Sequence, residues 1–183
     1  MANILLGVTG SIAAYKAADI ANQLTKRGHA VDVVLTKHAL EFITPLTFQT
    51  LTKRRVYTDL FSLEIPNEVE HISLAKRADI ALVAPASANL IGKLANGIAD
   101  DLLTTVLMAL DHTLLYLSPA MNTAMYENRI VQANLKRLTD AGVRLIEPRE
   151  SVLACGDLGR GALAEVGAIL AVIDEALNAP KKE

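Results

Sequence analysis

No tryptophan occurs in this 183-residue chain, and aromatic residues make up only 4% of it, although 51% of the residues are apolar. A core of that composition has to be aliphatic, built from Leu, Ile, Val and Ala, which suits a parallel sheet buried beneath helices. The single cysteine, Cys155, rules out an internal disulfide, fits a reducing compartment and leaves one thiol to be accounted for. No uncharged stretch approaches the roughly 20 apolar residues needed to cross a bilayer. The opening MANILLGVTG has no cationic segment and only a short apolar run, so it does not read as a signal peptide, and a cytoplasmic location is expected. Net charge is −2 with the signs interspersed. Without a basic stripe to follow a phosphate backbone, neither nucleic acid nor a membrane is expected as a partner. No spacing of His, Cys, Asp and Glu suggests a metal site.

What the chain does have is a regular alternation of apolar runs and amphipathic stretches. Residues 3–8 read as a strand and 11–27 as a helix with Ala17, Ile20, Ala21 and Leu24 on one face, closed by Gly28. Residues 30–35 make a second strand. A helix from about residue 39 carries Phe42, Leu46 and Leu51 and is weakened by Pro45. A short helix at 71–77 feeds a third strand at 80–84. Residues 90–110 are expected to be helical with a break near Gly97, followed by a strand at 114–117 and a helix at 123–139. A strand at 143–146 and a helix at 163–177 complete the pattern. There is no internal repeat or low-complexity linker, and a chain of this length can bury roughly 70% of its unfolded surface as one domain. Residues 1–183 are therefore expected to form a single doubly wound α/β domain, a mainly parallel sheet with helices on both faces. Ligands of such sheets bind beyond the carboxyl ends of the strands, and every motif below follows an expected strand.

Gly7-Val8-Thr9-Gly10-Ser11-Ile12 joins the first strand to the first helix. Gly10 permits φ > 0 or a close backbone approach, and Ser11 offers a cap to a helix whose free N–H groups favour an anion. A plain tight turn would use the same residues. The spacing is not G-x-G-x-x-G, and the second strand runs into Thr36-Lys37 where a dinucleotide site would place an acid. A hydroxyl there suits a phosphate or a mononucleotide, or simply caps the next helix. In Pro85-Ala86-Ser87-Ala88-Asn89, small residues would let a flat ring approach the backbone while Ser87 and Asn89 bond a polar edge. Either residue also suits an ordinary helix cap. Asp100 and Asp101 read as a helix start, where negative charge is favoured, rather than as acid–base or metal residues.

Pro119-Ala120-Met121-Asn122-Thr123-Ala124-Met125-Tyr126 is the most informative stretch. By spacing alone, Met121 and Met125 are core filler and Asn122 is a helix cap. The stretch nonetheless resembles the P-x-M-N-x-x-M-W motif of the flavin-dependent cysteine decarboxylases. Gly10-Ser11-Ile12 and Pro85-Ala86-Ser87-Ala88-Asn89 are similar to the FMN-binding segments of that superfamily. Ala154-Cys155-Gly156-Asp157-Leu158-Gly159-Arg160-Gly161 resembles the substrate clamp of the phosphopantothenoylcysteine decarboxylases, and Glu70-His71-Ile72 falls where that family has its catalytic histidine. Apart from the histidine segment, these four motifs occur in order along nearly the whole chain. Two departures stand out: Tyr126 replaces the motif's tryptophan, and Ala162-Leu163 follows the clamp where Arg-Met is usual. The resemblance is to the stand-alone decarboxylase, without a synthetase domain.

The resemblance implies a Rossmann-like flavoprotein that holds FMN with Gly10, Ser11, Ile12, Thr36, Ser87, Ala88, Asn89 and Met121. Its substrate would lie on Asn122, Met125, Ala154, Cys155 and Gly156. The implied reaction is decarboxylation of (R)-4′-phospho-N-pantothenoyl-L-cysteine to 4′-phosphopantetheine in coenzyme A biosynthesis, by a carboxy-lyase. Losing CO2 from an α-amidocarboxylate leaves a carbanion with nothing adjacent to hold it. Oxidising the cysteine CH2–SH to a thioaldehyde sets an electron sink β to the carboxylate, so a two-electron acceptor belongs in a reaction with no net redox change. CO2 loss then leaves an aminoenethiol, which is reduced. In this scheme His71 transfers a proton, Asn122 orients the carboxylate and Cys155 protonates the enethiol. Outside the family context, His71 would pair with Glu68 or Glu70, and Cys155 would be a buried small hydrophobe. The superfamily also implies homotrimers or homododecamers with FMN at a protomer interface. Other readings are a peptidyl-cysteine decarboxylase, a flavin prenyltransferase, a non-catalytic flavin-binding regulatory subunit and a dinucleotide oxidoreductase. The Cys155 clamp argues against the first two, and His71 together with Cys155 against the third.

Overall fold

A strand that is apolar along its whole length cannot turn one side to water, and β1 (Asn3–Val8) is buried from Ile4 onward. β2 (Ala30–Leu35) and β4 (Ile80–Ala86) are buried in the same way, so all three need cover on both faces. The structure, a computed structural model, describes residues 1–61, 69–152, 156 and 158–179. In it six parallel strands lie in the order β3 (Val56–Tyr57), β2, β1, β4, β5 (Leu114–Pro119), β6 (Arg144–Leu145). Side chains alternate between the faces. On one, Ile4, Leu6 and Val8 share a core with α1 (Ala14–Lys26) and α8 (Val166–Asn178), through Ala17, Ile20, Leu24, Ile169, Leu170 and Ile173. On the other, Leu5, Ala81 and Val83 share a core with α3 (Glu70–Arg77), α4 (Ala88–Ala95), α5 (Leu102–Met108) and α7 (Arg129–Asp140). The doubly wound α/β architecture is the expected one.

Several elements differ from the sequence pattern, each for a local reason. Pro45 does not weaken a helix but starts one: α2 (Pro45–Thr52) has it in the first turn, where its missing N–H costs nothing. The stretch 39–44 contributes only a 3₁₀ turn, Ala39–Glu41. The break expected near Gly97 within 90–110 is present, and it separates two full helices, α4 and α5. Gly97 turns the chain at φ +69, and Asp101 starts α5 with a capping box. The Asp101 carboxylate accepts from the Thr104 N–H at 2.8 Å, and the Thr104 hydroxyl accepts from the Asp101 N–H at 3.2 Å. The helix expected at 123–139 is likewise divided into α6 (Thr123–Tyr126) and α7, because Asn128 caps the second by accepting from the Ile130 N–H at 2.9 Å. The last helix begins at Val166 rather than 163. β3 and an antiparallel pair outside the main sheet, β7 (Arg149–Val152) with β8 (Leu158–Ala162), have no counterpart in the sequence pattern.

One carboxylate is buried in the sheet. Asp32 accepts from Arg54 Nε at 2.9 Å and from Arg77 Nε at 2.7 Å, and Arg77 Nη2 donates to the Tyr57 hydroxyl at 2.9 Å. Burial works against the Arg77 charge, but the bond and charge of Asp32 outweigh it and hold the guanidinium above its ordinary pKa. A buried acid between two cations is compensated, and this one fastens β3 and α3 to the sheet edge.

Candidate active site

β1 and β4 are neighbours whose connections leave in opposite directions, one toward β2 and β3, the other toward β5 and β6. The crevice beyond their carboxyl ends is where a doubly wound sheet binds ligands. Thr9, buried just after β1, ties the two loops together there. Its hydroxyl donates to the Pro85 carbonyl at 2.7 Å and accepts from the Ser87 N–H at 2.9 Å. Gly10 is not in the positive-φ region; it is needed for close approach instead. A Cβ at position 10 would lie 2.6 Å from the His38 Cβ and 3.1 Å from its backbone.

The expected caps fall out unevenly. Ser11 does not cap α1. Its Oγ accepts from the Ala13 N–H at 3.2 Å, and the helix begins a turn later with no side-chain cap. Thr36 Oγ1 accepts from the Ala39 N–H at 3.3 Å, capping the following turn. Ser87 caps α4 by accepting from Leu90 at 3.4 Å, and Asn122 caps α6 by accepting from Ala124 at 2.8 Å. The Met121 N–H donates to the Gly161 carbonyl at 2.9 Å, which brings β8 against the Asn122 turn.

These segments enclose one cavity of about 1190 Å³. Gly10, Ser11, Ile12 and Thr36 line it, as do Ser87, Ala88 and Asn89 across the switch point, and Met121, Asn122 and Met125 beyond β5. So ten expected site residues meet in one place. His71 does not. It sits in the first turn of α3, half-buried, and does not line the cavity. Gly156, with φ +91, does not line it either, and Ala154 and Cys155 lie outside the described residues. The histidine that does line the cavity is His38, for which the sequence offered no motif. Lys16 and Arg149 also line it without having been singled out, and so does Phe42, which was expected on a helix face. Lys16 was findable, lying little more than a turn beyond Ser11; Arg149 was not, because β7 itself was unforeseen.

The lining suits a flavin nucleotide. Small residues at Gly10, Ala88 and Ala120 leave flat space against the backbone, and Lys16 and Lys37 supply positive charge for a phosphate, while Arg149 is paired with Glu165 at 3.0 Å. The volume exceeds that of a typical small-molecule pocket, about 300–1,000 Å³, which leaves room for cofactor and substrate together. Lys93 lines the same cavity but is already engaged, with Nζ 2.6 Å from Asp100 and 3.2 Å from Asp101. The Asp100 bond outweighs burial and raises the ammonium above its ordinary pKa, so Lys93 is a cation here and not a base; the same bond lowers Asp100.

Residues 1–178 match the flavoprotein family. The chain belongs to that family. It is 51% identical over 175 residues to a probable phosphopantothenoylcysteine decarboxylase from Streptococcus mutans serotype c, covering 95% of this chain and 98% of that protein. It is 48% identical over 163 residues to the coenzyme A biosynthesis bifunctional protein of Bacillus subtilis, 89% of this chain but only 40% of that one. Among solved structures, a PPC decarboxylase cysteine-to-serine mutant complexed with pantothenoylaminoethenethiol is similar with a TM-score of 0.86, at 33% identity, over 97% of this chain and 99% of that one. The FMN-binding protein AtHal3 is similar with a TM-score of 0.83, at 33% identity, over 99% of both chains. Among the described residues, no helix of this flavoprotein is long and apolar enough to cross a membrane.

Proposed function

We propose that this flavoprotein binds FMN and decarboxylates (R)-4′-phospho-N-pantothenoyl-L-cysteine to 4′-phosphopantetheine, acting in the cytoplasm with residues 1–183 as one domain. The observation that carries the reading is the convergence of three segments on one cavity at the β1/β4 switch point. These are Gly10–Ile12, Ser87–Asn89 and Met121–Met125, in a chain half identical to a probable enzyme of this kind. Gly10, Ser11, Ile12, Thr36, Ser87, Ala88, Asn89 and Met121 hold the cofactor. When bound, FMN supplies a two-electron acceptor for the substrate's CH2–SH group. The cap bond from Ala124 holds the Asn122 Oδ1, and from there Asn122 orients the substrate carboxylate, beside Met125. Ala154, Cys155 and Gly156 clamp the substrate, and the Cys155 thiol delivers a proton to it in the closing half of the reaction.

His71 transfers the other proton, and its place outside the cavity bears on assembly. At the cavity mouth Ile12 is 61% exposed, Tyr15 62% and Phe42 50%, an apolar rim that a single chain leaves in water. A second copy covering this rim and presenting its own His71 would complete the site, which supports a homotrimer or a homododecamer of trimers. The protein should purify yellow with about one FMN per chain and release CO2 and 4′-phosphopantetheine from the substrate. Chromatography of the chromophore released on denaturation tests the first part. FAD, a nicotinamide nucleotide or no flavin after reconstitution would sink it.

A further inference from the structure

β7 and β8 form a two-stranded hairpin off the main sheet, and such a hairpin has little stability of its own. It nevertheless shapes the cavity, because Arg149, Ser151, Val152, Gly161 and Ala162 line one side of it. Something must hold it in register with the Asn122 turn opposite. Part of the answer is backbone contact. Gly161 accepts from the Met121 N–H, and a Cβ at Gly159 would overlap the Thr123 side chain. On β7, Arg149 Nε lies 3.0 Å from Glu165 and donates to the Leu163 carbonyl at 3.3 Å, which ties the open end of the hairpin but does not fasten its β8 edge to α6.

A second attachment lies outside the cavity. The Tyr126 hydroxyl at the end of α6 donates to Glu147 Oε2 at 2.8 Å, and Arg160 Nη2 on β8 donates to the same oxygen at 2.9 Å. The Arg160 guanidinium also stands 5.6 Å from the centre of the Tyr126 ring, within cation–π range. One carboxylate, on the link between β6 and β7, thereby joins α6 to β8. The tyrosine ring is buried while both charged partners are about half exposed. The hydroxyl bond, whose donor belongs to a buried ring, therefore outweighs the ion pair between two half-exposed side chains. Burial first, then Glu147, hold the Tyr126 pKa above its ordinary value, so the phenol stays a donor. The tryptophan usual at position 126 in the resembling motif would offer no hydroxyl for this bond.

We propose that Tyr126, Glu147 and Arg160 form a latch that sets the β7–β8 hairpin against the Asn122 turn, and are positioning residues for the decarboxylation. This rests on the function proposed above, and two readouts keep the two claims separate. In Tyr126→Phe and Glu147→Ala, hydrogen exchange of peptides covering 158–162 should quicken while bound flavin is unchanged. Substrate kcat/KM should fall roughly ten- to a hundredfold in each. The double variant should fall no further than the worse single one, because each change opens the same latch. Glu147→Gln, which keeps an acceptor for Tyr126, should recover part of the loss. Unchanged exchange over 158–162 overturns the latch whatever the activity. Faster exchange with unchanged kcat/KM, or fully additive losses, overturns the positioning role. Faster exchange in a protein whose unaltered form does not act on the substrate upholds the latch and overturns the proposed reaction instead.

Discussion

At position 10 a methyl group would press on both the side chain and the backbone of His38, and backbone cannot swing aside as a flexible side-chain tip can. Gly10→Ala should therefore destabilise by about 1–3 kcal/mol, the usual range for overpacking, and should weaken FMN as the loop shifts. Thermal unfolding and a flavin titration check this; an unchanged midpoint with unchanged affinity would show that the loop has slack. The sequence marked Gly10 as special but left open which of its two freedoms was in use, because close approach depends on a partner 28 positions away. Ser87, Thr36 and Asn122 teach a related lesson. Each was read either as a helix cap or as a ligand contact, and each caps its turn while also lining the cavity. The readings were never exclusive, since a short polar side chain at the start of a helix sits where the strand ends and the crevice begins.

Between α4 and α5 the chain turns on Gly97, and Asp101 both caps α5 and pairs with Lys93 of α4. Asp101→Ala should cost about 1 kcal/mol, the ordinary worth of an N-cap, and loosen the Lys93 wall of the cavity. Asp100 and Lys93 set the pH dependence of the same corner. Because the Asp100 pKa is lowered, its contribution is present above the ordinary carboxylate range and lost as pH falls through the lowered value. Because the Lys93 pKa is raised, its contribution is whole below the ordinary lysine range and lost as pH rises through the raised value. Unfolding midpoints of the unaltered protein and Asp100→Asn, compared across pH, should converge at both extremes; a constant gap would mean that the pair contributes nothing. At this scale the main strands were legible because each is a continuous apolar run. The break at Gly97 was legible as well, but the one after Tyr126 was not, since a 3.6-residue pattern runs on past Glu127-Asn128 without registering the second cap. β8 was hidden by its own composition, LGRGA, whose two glycines argue against a strand until Thr123 and the Met121 carbonyl are seen lying against them.

For the whole molecule, the separation of His71 from the cavity makes a sharp expectation. If His71 of one copy serves the Asn122 site of another, His71→Asn and Asn122→Asp should each be nearly inactive with FMN bound. Oligomers refolded from an equal mixture should then regain about a quarter of full activity, because one site in four receives both intact residues. No recovery from mixtures shown to contain both chains would place the two residues in the same copy, or His71 outside the reaction. The order of the core has a separate consequence, one that concerns synthesis. α8 covers Ala17, Ile20 and Leu24 of α1 and the adjoining face of β1, and a surface Arg27–Asp174 pair joins the two helices. A ribosome delivers α1 and the first strands well before α8, so the nascent chain carries an aliphatic face that waits for Ile169, Leu170 and Ile173 to emerge. Interrupted translation anywhere short of that helix leaves the α1 side of the sheet only partly covered, a species that sticks to its neighbours or occupies a chaperone.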